Sequence, residues 1–319
     1  MRMLFVMDPI DTISLKKDTS FGFMEAAQAR GHRLAWCRIE ELSAEGGQGW
    51  ARCREVQVQR VAGAHHRSEP PALVPLSDFD VVWMRKDPPF SMNYIYATYL
   101  LDQVDPARTR VINWPSGLRS CNEKAVILRF PAWTPATAVA WEREDIDRWV
   151  GAWGGRAVLK PLDGMGGRGI LLLDHADPNY GSLIEVSTAY GTTPVMVQRF
   201  VPEASEGDKR ILLWDGEILG GLLRKPKAGE LRSNLAAGGS ASATAFSADE
   251  QAMVEELRPF LRAQGLRFVG LDVIGGKLTE LNVTSPTGMM EASQFAGRDL
   301  CAEVVARLER GQGWDDAPT

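Results

Sequence analysis

The sequence predicts a mixed α/β (α+β) fold built from two successive textures, and three observations carry the prediction. Over roughly the first 120 residues, short apolar strands alternate with segments of helical period, the pattern of a parallel sheet covered by helices. From about residue 123 strand-like runs follow one another closely, separated by turn dipeptides such as Asp215-Gly216 and Gly275-Gly276, the texture of antiparallel hairpins. The 319 residues are 45% hydrophobic and 24% charged, an ordinary globular composition with enough apolar material for two or three domains.

In chain order, "MLFVM" (3–7) reads as a buried strand and "DTSFGFMEAAQARGH" as a helix that Gly31 ends. Residues 43–72 are rich in Gly, Arg and His but poor in apolar order, with "EVQVQRV" as an edge hairpin and a solvated loop expected at His65 and His66. His65 and His66, inside that stretch, lack an evident metal-binding partner. "DFDVVWMR" (78–85) is the next strand, and the paired prolines of "KDPPF" force a loop. "NYIYATYLLDQV" has helical spacing and "RVIN" is a short strand. In the second texture "RAVLKP", "GILLLD", "PVMVQRFV", "KRILLWDGEIL" and "RFVGLDVIGGKLTELNV" read as strands, with helices at 143–153, 247–264 and about 299–310. The second of these helices opens on Ser247 and Glu250, a capping box. Residues 313–319 read as a frayed tail.

Several function classes are excluded at this level. With 36 basic and 41 acidic residues interspersed and a net charge of -5, the chain has no basic stripe for nucleic acid. No apolar run approaches a bilayer span, and "MRMLFVMDPID" lacks the layout of a secretory signal. The four cysteines are scattered without a C-x-x-C pair, so disulfides and zinc are not expected. A cytoplasmic protein is the expectation.

The stretch "KPLDGMGGRG" (160–169) matches G-x-G-x-x-G at Gly164, Gly166 and Gly169. A dinucleotide fold requires a helix after those glycines, whereas "ILLLD" is too short for one and reads as a strand. A Walker loop places its lysine after the glycines, whereas Lys160 precedes them. The remaining reading is a β-hairpin with a glycine tip. Its exposed N–H groups suit a phosphate nest, and a plain surface hairpin is the alternative. In "GLDVIGGKLTELNVTSP", a three-residue loop centred on Gly276 pairs Asp272 with Glu280 and Gly270 with Asn282. Asp272, Glu280 and Asn282 then share one face, an all-oxygen set suited to Mg2+. A strict two-residue turn would separate the two carboxylates. "VMVQRFV" can serve as an adenine hinge, with Phe200 and Val201 packing the ring, and "GDKR" supplies Asp208 for a ribose and Arg210 for phosphate.

Together with "LKKDTSF", "MRKDPPF", "SCNEK", "LKPLDGMGG", "NLAAGG", "VGLDVIG" and "LTELNVTSPTG", these blocks resemble, in order and over nearly the whole chain, the prokaryotic glutathione synthetase family of the ATP-grasp superfamily. The resemblance implies an ATP-grasp fold with a Rossmann-like pre-ATP-grasp domain (1–122), a central lid domain (123–200), a catalytic domain (201–312) and the tail (313–319). It implies that Lys124, Lys160, Gly164, Met165, Gly166, Gly167, Gln198, Phe200, Val201 and Asp208 bind ATP, and that Asp272, Glu280 and Asn282 hold Mg2+ or Mn2+. Arg210, Arg232 and Asn234 are implied as catalytic, and Arg85, Arg224, Ser285 and Thr287 as substrate-binding. The implied reaction joins γ-glutamylcysteine to glycine through an acyl phosphate, in a homo-oligomer, a tetramer. Two glycine-rich segments, 163–169 and 225–243, are expected to close as lids over that water-sensitive intermediate. The sequence departs from the family at Ser240 and over Met289–Ser293, near the substrate end, which keeps a ligase for another dipeptide or amine as an alternative; an idle nucleotide-binding module is the alternative from another class.

Overall fold

The protein was analysed as a computed structural model, which describes residues 1–227 and 239–311. Most of the second expected lid and the whole of the expected tail therefore lie outside the described residues.

The N-terminal region consists of β1 (Arg2–Val6), α1 (Thr19–Ala29), β2 (Arg33–Cys37), β3 (Leu42–Glu45), β4 (Gln48–Val58), β5 (His66–Ser68), β6 (Ala72–Pro75), β7 (Val81–Met84), α2 (Met92–Leu101), β8 (Arg110–Ile112) and α3 (Pro115–Ser120). Strands β2, β1, β7 and β8 lie side by side and parallel, as the alternation of strand and helix predicts. Helix α1 starts where Asp18 accepts the Phe21 N–H at 2.7 Å, and the chain leaves it through Gly31 at φ +79°.

The segment 43–72 holds more regular structure than its composition suggests. The 11-residue β4 runs antiparallel to β2 and also pairs with β3, β5 and β6; the expected hairpin at "EVQVQRV" is present, with Val56–Val58 as its inner strand and β5 as its outer one. Its buried positions are Gly49, Ala51 and Cys53, then Val56 and Val58. The inward phase flips between Cys53 and Val56, which hides an otherwise regular period of two. His65 and His66 are half-buried and partnered. The His65 ring reaches the Ile10 carbonyl at 2.8 Å and His66 reaches Asp11 at 2.9 Å, partners that are remote in sequence. Among the described residues no cluster of three or more His, Cys, Asp or Glu forms a metal site, and the four cysteines are free and buried.

The central region is a four-stranded antiparallel sheet in the order β11-β10-β12-β9, made by β9 (Thr137–Ala140), β10 (Arg156–Pro161), β11 (Leu171–Asp174) and β12 (Val195–Arg199), with α4 (Arg143–Ala152) and α5 (Tyr180–Ser187) packed on it. The glycine segment joins β10 to its neighbour β11, so a strand follows the glycines, as expected. Helix α5 is an addition to the elements anticipated from the sequence.

The C-terminal region holds β13 (Asp208–Trp214), β14 (Glu217–Lys225), β15 (Ser240–Ser242), α6 (Ala248–Ala263), β16 (Phe268–Ile274), β17 (Lys277–Asn282), α7 (Met289–Ala296) and α8 (Leu300–Glu309). Its sheet has the order β15-β14-β13-β16-β17. The N-terminal and C-terminal regions are fused. Met3, Phe5, Phe23 and Trp83 share one buried cluster with Trp214, Phe268, Leu300 and Val304. Asn113 after β8 reaches across to the Phe268 carbonyl at 2.8 Å and the Val283 carbonyl at 2.7 Å. No helix among the described residues is long and apolar enough to cross a membrane.

Candidate active site

The site is assembled around the β16–β17 hairpin. Ile274 pairs with Lys277, so the turn is the two-residue Gly275-Gly276, with φ of +56° and +73° at its two centres, as a type I′ turn requires. Asp272 nevertheless faces Glu280 and Gly270 faces Asn282, because the register shifts between Asp272 and Val273. Thr279 is the extra residue of this β-bulge, and its hydroxyl donates to the Asp272 carbonyl at 3.1 Å. The expected pairing is thus present, but a bulge produces it and a three-residue loop does not. Asn282 donates its amide N–H to the Gly270 carbonyl at 3.2 Å, which leaves its amide oxygen as the atom available to a ligand.

Asp272 lies at the bottom, buried and clamped. Arg210 donates to it through Nε at 2.5 Å and Nη2 at 3.0 Å, and Arg224 lies 2.9 Å away. Burial alone would push the Asp272 carboxyl up, but the two guanidinium groups outweigh it and hold the pKa well below the usual carboxylate range. Asp208 also pairs with Arg224. Its second oxygen is buried without a hydrogen-bond partner among the described residues, and burial pushes its pKa up to about 6 against the pull of Arg224.

Two lysines face this floor. Lys124 donates to the Gly164 carbonyl at 2.6 Å and sits 3.0 Å from the Glu280 carboxylate. Lys160 donates to Gln198 at 2.8 Å and to the Thr279 carbonyl at 3.2 Å, and burial lowers its pKa. Both lysines therefore tie the central region to the β16–β17 hairpin. The glycine tip folds over them, with Gly166 and Gly167 at φ of +62° and +76°, a conformation that exposes successive N–H groups.

One cleft between the central and C-terminal sheets gathers most of the predicted residues. Lys124, Lys160, Gly164, Met165, Gly166, Gly167, Gln198, Phe200, Val201, Asp208, Asp272 and Glu280 all line it. Asn282, Arg85, Arg210, Arg224, Ser285 and Thr287 do not line it. Arg210 and Arg224 join it through Asp272. Arg85 is buried farther on, where it donates to Ser20 Oγ and to the Pro286 carbonyl at 3.0 Å each. Its Nη1 has no hydrogen-bond partner among the described residues. Arg210 Nη1 reaches the Thr287 carbonyl at 3.1 Å, so Arg85 and Arg210 converge on the turn carrying half-buried Ser285 and exposed Thr287. Arg232 and Asn234 lie outside the described residues.

The structure adds residues that sequence reasoning misses. Val158, Ile170, Leu172 and Ile274 form the apolar wall of the cleft, and Arg168 stands on the flap. Strand patterning marks the former as ordinary core, so no sequence signal separates them from it. Arg156 places its guanidinium 4.4 Å from the Phe200 ring centre, which covers one face of that ring.

The chain is similar to known proteins over nearly its whole length. Residues 1–119 match the family described as prokaryotic glutathione synthetase, N-terminal domain, and residues 123–297 match prokaryotic glutathione synthetase, ATP-grasp domain. The chain is 43% identical over 319 residues to the glutathione synthetase of Synechocystis sp., covering 97% of this chain and 99% of that protein. It is 46% identical over 317 residues to that of Thermosynechococcus vestitus, with the same coverage. Among solved structures, a D-cycloserine synthetase superposes with a TM-score of 0.67 at 15% identity, over 97% of this chain and 99% of that one. An ATP-grasp ligase bound to a precursor peptide and AMPPNP superposes at 0.61 with 17% identity, over 97% of each chain. The two structures share the fold with this chain.

Proposed function

We propose a reaction for this cleft from one premise: the chain belongs to the prokaryotic glutathione synthetase family. It is an ATP-dependent ligase. The reading supported best is the joining of γ-glutamylcysteine to glycine, giving glutathione, ADP and phosphate. The observation that carries it is a single cleft in which Lys124, Lys160 and the glycine flap face Asp272 and Glu280.

In this reading the adenine lies against Val201 and the free face of Phe200, and the unpartnered oxygen of Asp208 accepts a ribose hydroxyl. Lys124 and Lys160 release their present carbonyl and side-chain partners and turn to the phosphates. That exchange frees Glu280, which with Asp272 and the Asn282 amide oxygen is the all-oxygen set for Mg2+ or Mn2+. The residues fit such an ion through Glu280 and Asn282 directly, while Asp272 shares its charge with Arg210 and Arg224. When bound, the metal would offset phosphate charge. The cysteinyl carboxylate attacks the γ-phosphorus and ADP leaves. The amine of glycine then attacks the acyl carbon, loses a proton and expels phosphate. Arg210, with Arg232 and Asn234, neutralises the charge that develops; Arg85, through its unpaired Nη1, together with Arg224, Ser285 and Thr287, holds the dipeptide and acceptor.

The cavity measures about 110 Å3, below the roughly 300–1,000 Å3 of typical ligand pockets. Admission of ATP therefore requires the 163–169 flap to lift, and its return excludes water from the acyl phosphate. We assign residues 1–122, 123–200 and 201–312 as pre-ATP-grasp, lid and catalytic domains on the same basis, and infer a cytoplasmic homotetramer from the resemblance, which light scattering tests for assembly.

Phosphate release from ATP and Mg2+ with γ-glutamylcysteine, with and without glycine, decides the reaction. Glycine-dependent release is expected; its absence rejects the reading. A ligase for a different dipeptide or amine is the second reading. It is favoured by the departures from the family pattern near the substrate end, at Ser240 and over Met289–Ser293: after Gly288 the family resemblance leads one to expect an arginine, and Met289 stands there, fully buried.

A further inference from the structure

Glu123 stands one residue before Lys124 and has no role in the reaction described above. Its side chain is buried, with 9% exposure. Oε1 accepts three hydrogen bonds, from Val283 N at 2.8 Å, Thr284 N at 2.9 Å and Thr284 Oγ1 at 2.8 Å. The Glu123 main-chain carbonyl takes the Leu281 N–H at 2.9 Å. Among the described residues no cation forms an ion pair with this carboxylate. A carboxylate buried on neutral donors alone is costly, and burial accordingly raises its pKa, with the Glu280 charge acting in the same direction. What it holds is therefore the informative quantity.

The segment it holds is gripped along its length. The Val283 carbonyl accepts from Asn113 Nδ2 at 2.7 Å, the Pro286 carbonyl from Arg85 at 3.0 Å and the Thr287 carbonyl from Arg210 at 3.1 Å. An anion takes the N–H groups and neutral or cationic donors take the carbonyls, so the backbone from Val283 to Thr287 has its path fixed by side chains. Glu123, Asn113 and Arg85 precede the C-terminal sheet in sequence. The substrate turn of one region is thus shaped by residues of the others.

We propose that Glu123 is a positioning residue for the amide-forming step, its carboxylate fixing Val283 and Thr284 so that the 285–287 turn is aimed at the acceptor end of the site. The assignment rests on the ligase reading proposed above. Glu123→Ala is expected to speed hydrogen exchange of the Val283 and Thr284 amides by about tenfold or more. It is also expected to lower kcat/KM for the acceptor amine by about 100-fold, with KM for ATP changed less than about threefold. Glu123→Gln keeps an oxygen acceptor in place and should recover most of both losses. If Glu123→Ala does not fold, Thr284→Val removes one of the three donors and should show the same split in smaller measure. Unchanged amide exchange, equal rises in KM for ATP and acceptor, or a Gln variant as impaired as Ala would each overturn the role. No acceptor-dependent turnover in the wild type overturns the ligase reading instead, and the exchange measurement then still decides whether Glu123 grips the turn.

Discussion

The central sheet buries a core of its own, with Ile146, Val150, Ala157, Leu159, Leu173 and Ile184 packed among themselves, whereas the N-terminal and C-terminal regions share theirs across the Phe23, Trp83, Trp214 and Phe268 rings. Phe23 stacks on Trp83 at 4.6 Å and meets Phe268 edge-on at 5.2 Å. The cleft lies between these two kinds of construction. Its floor belongs to the fused body and its flap to the central sheet, which keeps one core of its own and meets the fused body through Met196, Val139 and Leu162 as well as through Lys124 and Lys160. A fused floor keeps Asp272 and Glu280 in fixed register, while a wall with a core largely its own is the part suited to move without disturbing that register. On the proposed reading the residues of the floor carry structure as well as chemistry, and those of the flap side carry chemistry more nearly alone.

That difference is open to test, beginning with the largest effect. Asp272→Ala should lower turnover by about 1,000-fold. By leaving Arg210 and Arg224 buried without their shared partner, it should also destabilise the fused body by about 3–5 kcal/mol; turnover and denaturation measured together check both. Lys160→Ala should lower turnover by about 100-fold or more with little change in thermal midpoint, and an equal loss of stability would break the contrast. Ile146→Ala, at a fully buried position, should cost about 2–5 kcal/mol. Calorimetry should assign that loss to a transition of the central region, and a single concerted shift of the whole protein would show that the two constructions are not separate. Gly117→Ala would set a Cβ 2.0 Å from the Gln264 carbonyl oxygen and should loosen the body at its own seam by about 1–3 kcal/mol.

The smallest effect concerns Asp208. Its folded pKa, about 6, lies above that of an exposed aspartate, so the native state holds the proton more tightly than the unfolded chain. Its contribution to stability is present at low pH and is lost as pH rises from about 4 to 6. Asp208→Asn should therefore be more favourable to the stability of the ligand-free protein at pH 8 than at pH 4, while weakening ATP binding. A stability difference independent of pH would remove Asp208 as a site where function opposes stability.

Much of this arrangement is legible in the residues themselves. "RAVLKP" and "GILLLD" around the glycines state a hairpin, because four apolar residues followed by "DHADP" are too few for a helix. Ser247 and Glu250 state a helix start, and both bonds of that capping box form. Other parts are illegible for specific reasons. Strand β4 hides behind a phase flip at Cys53–Val56, and helix α7 occupies "MMEASQFA" where no cap residue precedes it, since its N-cap is Gly288. Glu123 escapes notice because its partners lie about 160 positions away.

Amino-acid order alone settles which residue types are available: an oxygen-only set on one hairpin, a lysine before a glycine tip, apolar strands of set length and order. Local rules suffice for those, because turn chemistry and period act over a few neighbouring residues. Folding in three dimensions was needed to make Asp272 and Glu280 face each other through a bulge at Thr279, and to balance Asp272 between two arginines. It also brought Glu123, Asn113 and Arg85 together on the turn after Asn282. These contacts depend on register and on side chains from distant segments competing for the same buried acceptors and donors, and that competition is settled only when the whole chain packs.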